Sequence, residues 1–124
     1  MDHDAGTPRL LALTIFHPKP AWLETSRVEA LRWLSHRMDQ IREYMLTESG
    51  SGVLWANTFP TDSESLPRAI VLLWNLADRE AVHGLLHQLN RPDLQHYFLV
   101  AVASGMTGPS TDEVLDAFTT DLDR

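Results

Sequence analysis

The sequence predicts one α+β domain, in which two main helices pack against an antiparallel β-sheet. Three observations support this prediction: four short apolar runs bounded by turn-forming residues, two segments whose apolar residues recur every three or four positions, and the order of these segments. The 124 residues are the length of one ordinary domain. A hydrophobic content of 44% is sufficient to form a core, so we expect a folded chain.

The first strand and the first helix are predicted from the N-terminal half. Residues 10–16 form a short apolar run that ends before Pro18 and Pro20, which favours a buried strand. The spacing of Ser26 and Glu29 is that of a capping box, so a long helix is predicted to begin there. Its apolar stripe, which we expect to face the core, consists of Leu31, Leu34, Met38, Ile41 and Met45.

The remaining elements follow after a glycine-containing turn at residues 49–52. Strands are predicted over residues 53–59 and 68–74, joined by a polar loop, and the second is apolar on both faces as is typical of a central strand. Asp78 is expected to cap a second helix whose apolar side contains Val82, Leu85, Leu86 and Leu89. A helical turn over residues 92–96, a last strand over 97–103 and a C-terminal helix complete the prediction. The last helix begins at the capping-box spacing of Ser110 and Glu113, with Val114, Leu115, Phe118 and Leu122 on its apolar side.

The predicted order, β-α-β-β-α-β plus a C-terminal helix, is that of the ferredoxin-like fold. We assign residues 1–9 to an N-terminal tail, 10–104 to the ferredoxin-like domain, and 105–124 to a C-terminal linker and helix. Helices can cover only one face of such a sheet, whereas these strands carry apolar residues on both. We therefore expect a homodimer that buries the second face.

Composition excludes several classes of partner. A formal charge of −7 argues against binding to nucleic acid or to an anionic membrane surface. No run of about 18 uncharged apolar residues occurs, so no membrane span is predicted. The acidic start lacks a basic and then apolar signal pattern, and we expect a cytoplasmic protein. The absence of cysteine excludes disulfides and thiolate metal sites.

Three segments, at residues 69–74, 78–82 and 90–94, together resemble the antibiotic-biosynthesis monooxygenase family of the dimeric α+β barrel superfamily. The resemblance lies in a third strand that ends in Trp74, a helix after it, and a proline turn before the final strand. It implies a dimeric α+β barrel and an enzyme of secondary metabolism. It also implies oxidation of an aromatic or polyketide-like substrate without a cofactor, by substrate deprotonation and direct reaction with dioxygen.

Trp74 and His17 are the first two candidate site residues. By the resemblance, Trp74 matches a position that lines the pocket of the oxygenases. An indole there could stack on a flat substrate and donate its N–H to a substrate oxygen; the alternative is a core tryptophan whose N–H is bonded internally. His17 follows the first strand, and its imidazole could serve as a general base if the pocket opens at that end of the sheet.

The other four candidates lie on the second helix and near the last strand. His83 and His87 are four residues apart, so they project from one flank of the helix beside its leucines. His96 and Tyr97 are neighbours, and we expect them to point to opposite faces of a strand, where one could transfer a proton to or from a phenolic substrate.

Alternatives to the oxygenase remain open on these residues. A polyketide cyclase could use the same pocket for enolisation. Haem-degrading relatives carry a ligand histidine in this region, so His83, His87 or His96 could bind haem. A non-catalytic dimeric module is the third alternative, binding a ligand or protein through an outward face of the first helix. That face would consist of Trp33, Arg37, Gln40 and Tyr44.

Overall fold

The computed structural model describes residues 9–59, 68–108 and 110–120. Its elements, in chain order, are β1 (Leu10–Pro18), α1 (Pro20–Leu23), α2 (Arg27–Ser49), β2 (Gly52–Phe59), β3 (Ala69–Leu76), α3 (Arg79–Leu89), α4 (Pro92–Tyr97), β4 (Phe98–Met106) and α5 (Thr111–Thr120). The predicted loop over residues 60–67, most of the predicted N-terminal tail and Leu122 lie outside the described residues. No helix within the described ranges is long and apolar enough to cross a membrane.

The four strands form one antiparallel sheet in the order β2-β3-β1-β4. With α2 between β1 and β2 and α3 between β3 and β4, this is the ferredoxin-like arrangement, and the predicted fold class is confirmed, including the C-terminal helix. The strand that is apolar on both faces, β3, is central as predicted. The strands β2 and β3 pair from Gly52 opposite Asn75 to Phe59 opposite Ala69.

The predicted helix starts are confirmed by side-chain caps. The Ser26 Oγ accepts a hydrogen bond from the backbone N–H of Glu29 at 3.2 Å. The Asp78 Oδ1 accepts one from the N–H of Ala81 at 2.9 Å. The helix α2 ends at Gly50, whose φ of 67° is left-handed and therefore suits glycine. Local sequence thus determines where both main helices begin and where α2 ends.

The core lies between one face of the sheet and the two main helices. Trp74, opposite Ala12 in the register, packs with Phe16 of β1 and with buried residues of α2 and α3. Those helical residues are Ile41, Met45, Ala81, Leu85 and Leu89. Because side chains alternate along a strand, the neighbours of these sheet residues point to the opposite face.

The opposite face of the sheet is apolar and carries no helix among the described residues. Leu11, Leu13 and Ile15 of β1 are only half-buried and lie outside the core cluster. On the edge strands, the exposed fractions are 43% for Trp55 and 62% for Leu99. The helix α5 does not cover this face, since Val114, Leu115 and Phe118 are themselves exposed. We call this surface the open face.

The predicted core stripe of α2 is correct only in its second half. Ile41 and Met45 are buried, but Leu31 is 57% exposed. The inward position near the start of the helix belongs to Trp33, whose ring lies 5.7 Å from that of Trp22 and 5.0 Å from that of Tyr97. Side chains of α1 and α4 pack against this flank, and a tryptophan buries more apolar area against them than a leucine would. These aromatic contacts fix the rotation of the helix.

The predicted outward contact face of α2 is therefore wrong. Trp33, Arg37 and Tyr44 are half-buried, and Arg37 forms an ion pair with Asp93 of α4. Of the four residues assigned to that face, only Gln40 is exposed, and its Oε1 accepts a hydrogen bond from Arg37 at 2.7 Å. Tryptophan, tyrosine and arginine are typical of interfaces between proteins. In this chain they instead form contacts between α2 and the elements α1 and α4.

The last strand begins one residue later and ends three residues later than predicted. Tyr97 is the last residue of α4, so it and His96 are not on opposite faces of a strand; their rings are in contact, with centroids 4.9 Å apart. At the other end, Ser104 and Gly105 continue β4 because they pair with Ala12 and Leu11. Backbone pairing with β1 overrides the turn tendency of these small residues.

The rotation of α2 can be tested by truncating one residue on its inward side and one on its exposed side. Trp33→Ala should lower the free energy of unfolding by about 2–3 kcal/mol, because it removes a half-buried ring from an aromatic cluster. The matched variant Leu31→Ala should change it by no more than about 0.5 kcal/mol, because that side chain is exposed. Urea denaturation measures both. A larger loss for Leu31→Ala would contradict the observed rotation.

Candidate functional site

A cleft of about 650 Å³ lies between α3 and the edge strand β4, mainly on the helix side of the sheet, and it extends around the edge to Leu99 of the open face. This volume is within the usual range for small-molecule sites, about 300–1,000 Å³. The cleft is open to solvent along one side because β4 is an edge strand of the described sheet. The chain therefore has a candidate binding site where its second main helix lies beside its last strand.

One wall of the cleft is a flank of α3. Residues 83, 86, 87 and 90 recur every three or four positions, so they line up along the helix, while Leu85 points into the core. His83 and His87 are exposed and lie in this wall together with Leu86. The wall thus presents two imidazoles, which can accept or donate a proton, beside an apolar side chain.

The facing wall is apolar and comes from β4. Phe98, Val100 and Val102 are alternate residues of the strand, so their side chains point to the same side of the sheet, toward the helices. Phe98 is buried in the core cluster, whereas the two valines are half-buried and accessible from the cleft. A flat apolar molecule could therefore pack against the valines with its polar groups toward α3.

One end of the cleft is closed by polar groups from three elements. Lys19 precedes α1, and its Nζ donates a hydrogen bond to the backbone carbonyl of Gln95 at 2.6 Å. The Lys19 backbone N–H donates to the carbonyl of Tyr97 at 2.7 Å. The side-chain amide of Gln95 in turn donates to Oδ1 of Asn90, at the end of α3. These contacts hold an ammonium group and two amides at this end of the cleft.

Within the described ranges, the titratable side chains that line the cleft are all basic: Lys19, His83 and His87. The whole chain, in contrast, carries a formal charge of −7. A site that gathers basic groups in an acidic protein favours a ligand that is anionic or that becomes anionic during reaction. Among the described residues, no group of three potential metal ligands occurs, so this pair of histidines has no third ligand nearby.

Of the six candidate site residues from the sequence, the structure brings His83 and His87 into this cleft. His17 is exposed near the end of β1 and lies opposite Leu99, on the open face of the sheet. His96 is exposed on α4 and does not line the cleft. Tyr97 is half-buried among Trp22 and Trp33, so its ring belongs to the aromatic cluster that positions α2.

Trp74 lies in the core, with an exposed fraction of 0%, and is not a lining residue of the cleft. Its Nε1–H donates to Oγ1 of Thr14 at 3.1 Å, and that hydroxyl lies 3.4 Å from the carbonyl oxygen of Leu72. The indole N–H is therefore satisfied inside the protein. This arrangement is that of a core tryptophan whose polar group is bonded internally.

Sequence reasoning missed Lys19, Asn90 and Gln95 as site residues. They come from three segments that only the tertiary fold brings together, and no motif links them. A partial signal was present, because Lys19 is the only lysine in the chain.

No protein-family model and no curated protein sequence matches the chain. Solved structures with a similar arrangement include a variant of SnoaB, a cofactor-independent oxygenase from Streptomyces nogalater, at 10% identity and a TM-score of 0.44, covering 85% of this chain and 98% of that one. A dimeric ferredoxin-like protein from an uncultured marine organism has 10% identity and a TM-score of 0.48, with coverages of 84% and 97%. A NIPSNAP domain protein from Burkholderia xenovorans has 14% identity and a TM-score of 0.42, with coverages of 82% and 95%.

Proposed function

We propose that this protein is a small dimeric enzyme that binds an aromatic or polyketide-like molecule in the cleft between α3 and β4. The observation that carries the proposal is the placement of His83 and His87 opposite the apolar wall of β4. A site with one apolar wall and two imidazoles can hold a flat ring and remove a proton from its phenol or enol.

The size of the cleft is consistent with a fused-ring ligand. His83 and Asn90 are seven residues apart, which corresponds to about 10 Å along a helix. Phe98, Val100 and Val102 line the opposite side over about 13 Å of the strand. A molecule of two or three fused rings would span this length, with one edge against the valines and the other against the imidazoles.

Proton removal is the step that the residues of the chain can carry out. An imidazole of His83 or His87 accepts a proton from an acidic phenol, or from a methylene group between aromatic rings, and leaves an electron-rich anion. In the oxygenase proposal this anion reduces dioxygen directly: one oxygen atom enters the substrate as a carbonyl and the other leaves as water. The protein then orients the ring, excludes water and moves the proton.

Dimerisation is the second part of the proposal. The open face contains apolar side chains from all four strands, including Leu13, Trp55, Leu73 and Leu99. An isolated chain would leave this continuous apolar surface in water, at a cost of about 25 cal/mol per Å². Packing two such sheets face to face would bury it, with the helices on the outer sides of the dimer and each cleft bordering the interface at Leu99.

Replacing a histidine of the cleft should abolish most activity toward a polyketide-like phenol. With 1,8-dihydroxyanthrone as substrate, His83→Gln or His87→Gln should lower kcat by about 100-fold or more, because the base would be lost. His36→Gln is the matched control, since His36 is exposed on α2 outside the cleft, and it should retain full activity. Formation of the anthraquinone, followed by absorbance together with oxygen consumption, is the measurement.

Three outcomes would overturn this assignment of chemistry. Equal activity of the wild type and both cleft variants would remove the histidines from the mechanism. Rapid conversion of the substrate without oxygen would replace the oxygenase by a cyclase that uses the same deprotonation. An intense visible absorption band on addition of haemin, lost in His83→Ala or His87→Ala, would indicate a haem protein instead.

The proposed dimer interface predicts that one charge on the open face separates the subunits. The wild type should sediment as a dimer, and Trp55→Glu as a monomer, because the carboxylate would be buried without a partner between two sheets. Leu46→Glu is the control, since Leu46 is 65% exposed on α2, on the other side of the sheet. Analytical ultracentrifugation distinguishes these states. A monomeric wild type would contradict the interface.

A further inference from the structure

We infer that the cleft selects ligands with an anionic group, which Lys19 binds, and that the substrate class is therefore an aromatic phenol that also carries a carboxylate. This inference rests on the proposed function, and it adds a specificity-determining residue that has no part in the proton transfer. It follows from the position of the Lys19 ammonium, the charges around it and the length of the cleft.

The Lys19 ammonium is held in place by the backbone around it. The backbone N–H of Lys19 is bound to the carbonyl of Tyr97, and Nζ is bound to the carbonyl of Gln95, so both ends of the residue are fixed to α4. An ammonium has three N–H donors, and the contact with Gln95 uses one of them. The remaining donors are available to a ligand that enters the cleft.

The charge of Lys19 is not neutralised within the described part of the chain, where the ion pairs join other residues. Among the residues that the structure describes, no aspartate or glutamate lines the cleft. The side-chain amides of Asn90 and Gln95 line the same cleft and are bonded to each other. A cation in a cleft whose described lining includes amides and no carboxylate is suited to an anionic ligand such as a carboxylate, which accepts several hydrogen bonds at once.

The end of the cleft that contains Lys19 lies away from His83. The helix α3 runs antiparallel to β4, so Asn90 lies at the Phe98 end and His83 lies toward Val102. The separation along the helix is about 10 Å. A fused two-ring system with a carboxylate at one end and a phenol at the other matches this length. The carboxylate would bind at Lys19 while the phenol reaches an imidazole.

The test compares three ligands that share one ring system. 6-Hydroxy-2-naphthoate carries the phenol and the carboxylate at opposite ends, its methyl ester lacks the charge, and 2-naphthol lacks the group altogether. Isothermal titration calorimetry of the full chain gives Kd for each. The acid should bind wild-type protein about fivefold to tenfold more tightly than the ester or the naphthol, because only the acid forms charged hydrogen bonds.

Two substitutions assign the effect to Lys19. Lys19→Met should remove the preference for the acid over 2-naphthol, with both Kd values measured on the same variant. Lys19→Arg should retain most of the preference because it keeps the charge. Arg42→Gln removes one positive charge from an exposed site on α2 outside the cleft, so it controls for net charge and should behave as wild type. Circular dichroism of each variant verifies the fold.

The outcomes separate the two proposals. Equal affinity of wild type for the acid, the ester and 2-naphthol would overturn the role of Lys19 while leaving the aromatic cleft in place. No binding of any of the three would overturn the proposed function itself. A preference for the acid that persists in Lys19→Met but weakens in Arg42→Gln would show a general effect of charge, and it would also overturn the assignment to Lys19.

Discussion

The structure depends on one constraint: two long helices can cover only one face of a four-stranded sheet. On the covered face, alternate residues of β1 and β3 meet α2 and α3 in a continuous core around Trp74. On the other face, the residues between them remain available to a partner. The same constraint creates the cleft, because α3 packs beside the edge strand β4 without covering it fully.

Burial separates the roles of the aromatic and the titratable side chains. Trp74, whose side chain is fully buried, donates its indole N–H to Thr14 and stabilises the core. The cluster of Trp22, Trp33 and Tyr97 joins α1, α2 and α4 and sets the rotation of α2. The polar groups left facing the solvent-accessible cleft are histidines, amides and one lysine. The polar side chains of the proposed site therefore lie outside the core cluster, whereas its apolar wall includes Phe98 of that cluster.

Much of the fold could be predicted from the sequence, because helix caps and hydrophobic spacing are local signals. Ser26, Asp78 and Gly50 mark helix ends through bonds or backbone angles within a few residues of themselves. The rotation of α2 could not be predicted this way. The spacing of apolar residues in α2 is compatible with two different stripes facing the core. Trp33 faces inward because it contacts rings from α1 and α4, and these contacts are not encoded in the sequence of α2 itself.

The candidate site was predictable only in part for the same reason. The spacing of His83 and His87 identifies one flank of a helix, but the wall that faces them comes from β4. Lys19 reaches the cleft through the packing of α1 against α4, which no local pattern encodes. The sequence likewise could not distinguish a pocket tryptophan from a core one at position 74, since burial decides between them and burial is a property of the whole fold.

The most direct test of the central claim is an NMR titration of the ¹⁵N-labelled and methyl-labelled protein with 6-hydroxy-2-naphthoate. If the ligand binds between α3 and β4, the imidazole signals of His83 and His87 and the methyl signals of Val100 and Val102 should shift together. The indole N–H of Trp74 should stay unchanged and exchange slowly, because it is bonded to Thr14 in the core. Shifts at Trp74 with none along the cleft would contradict the account and place the functional site inside the core.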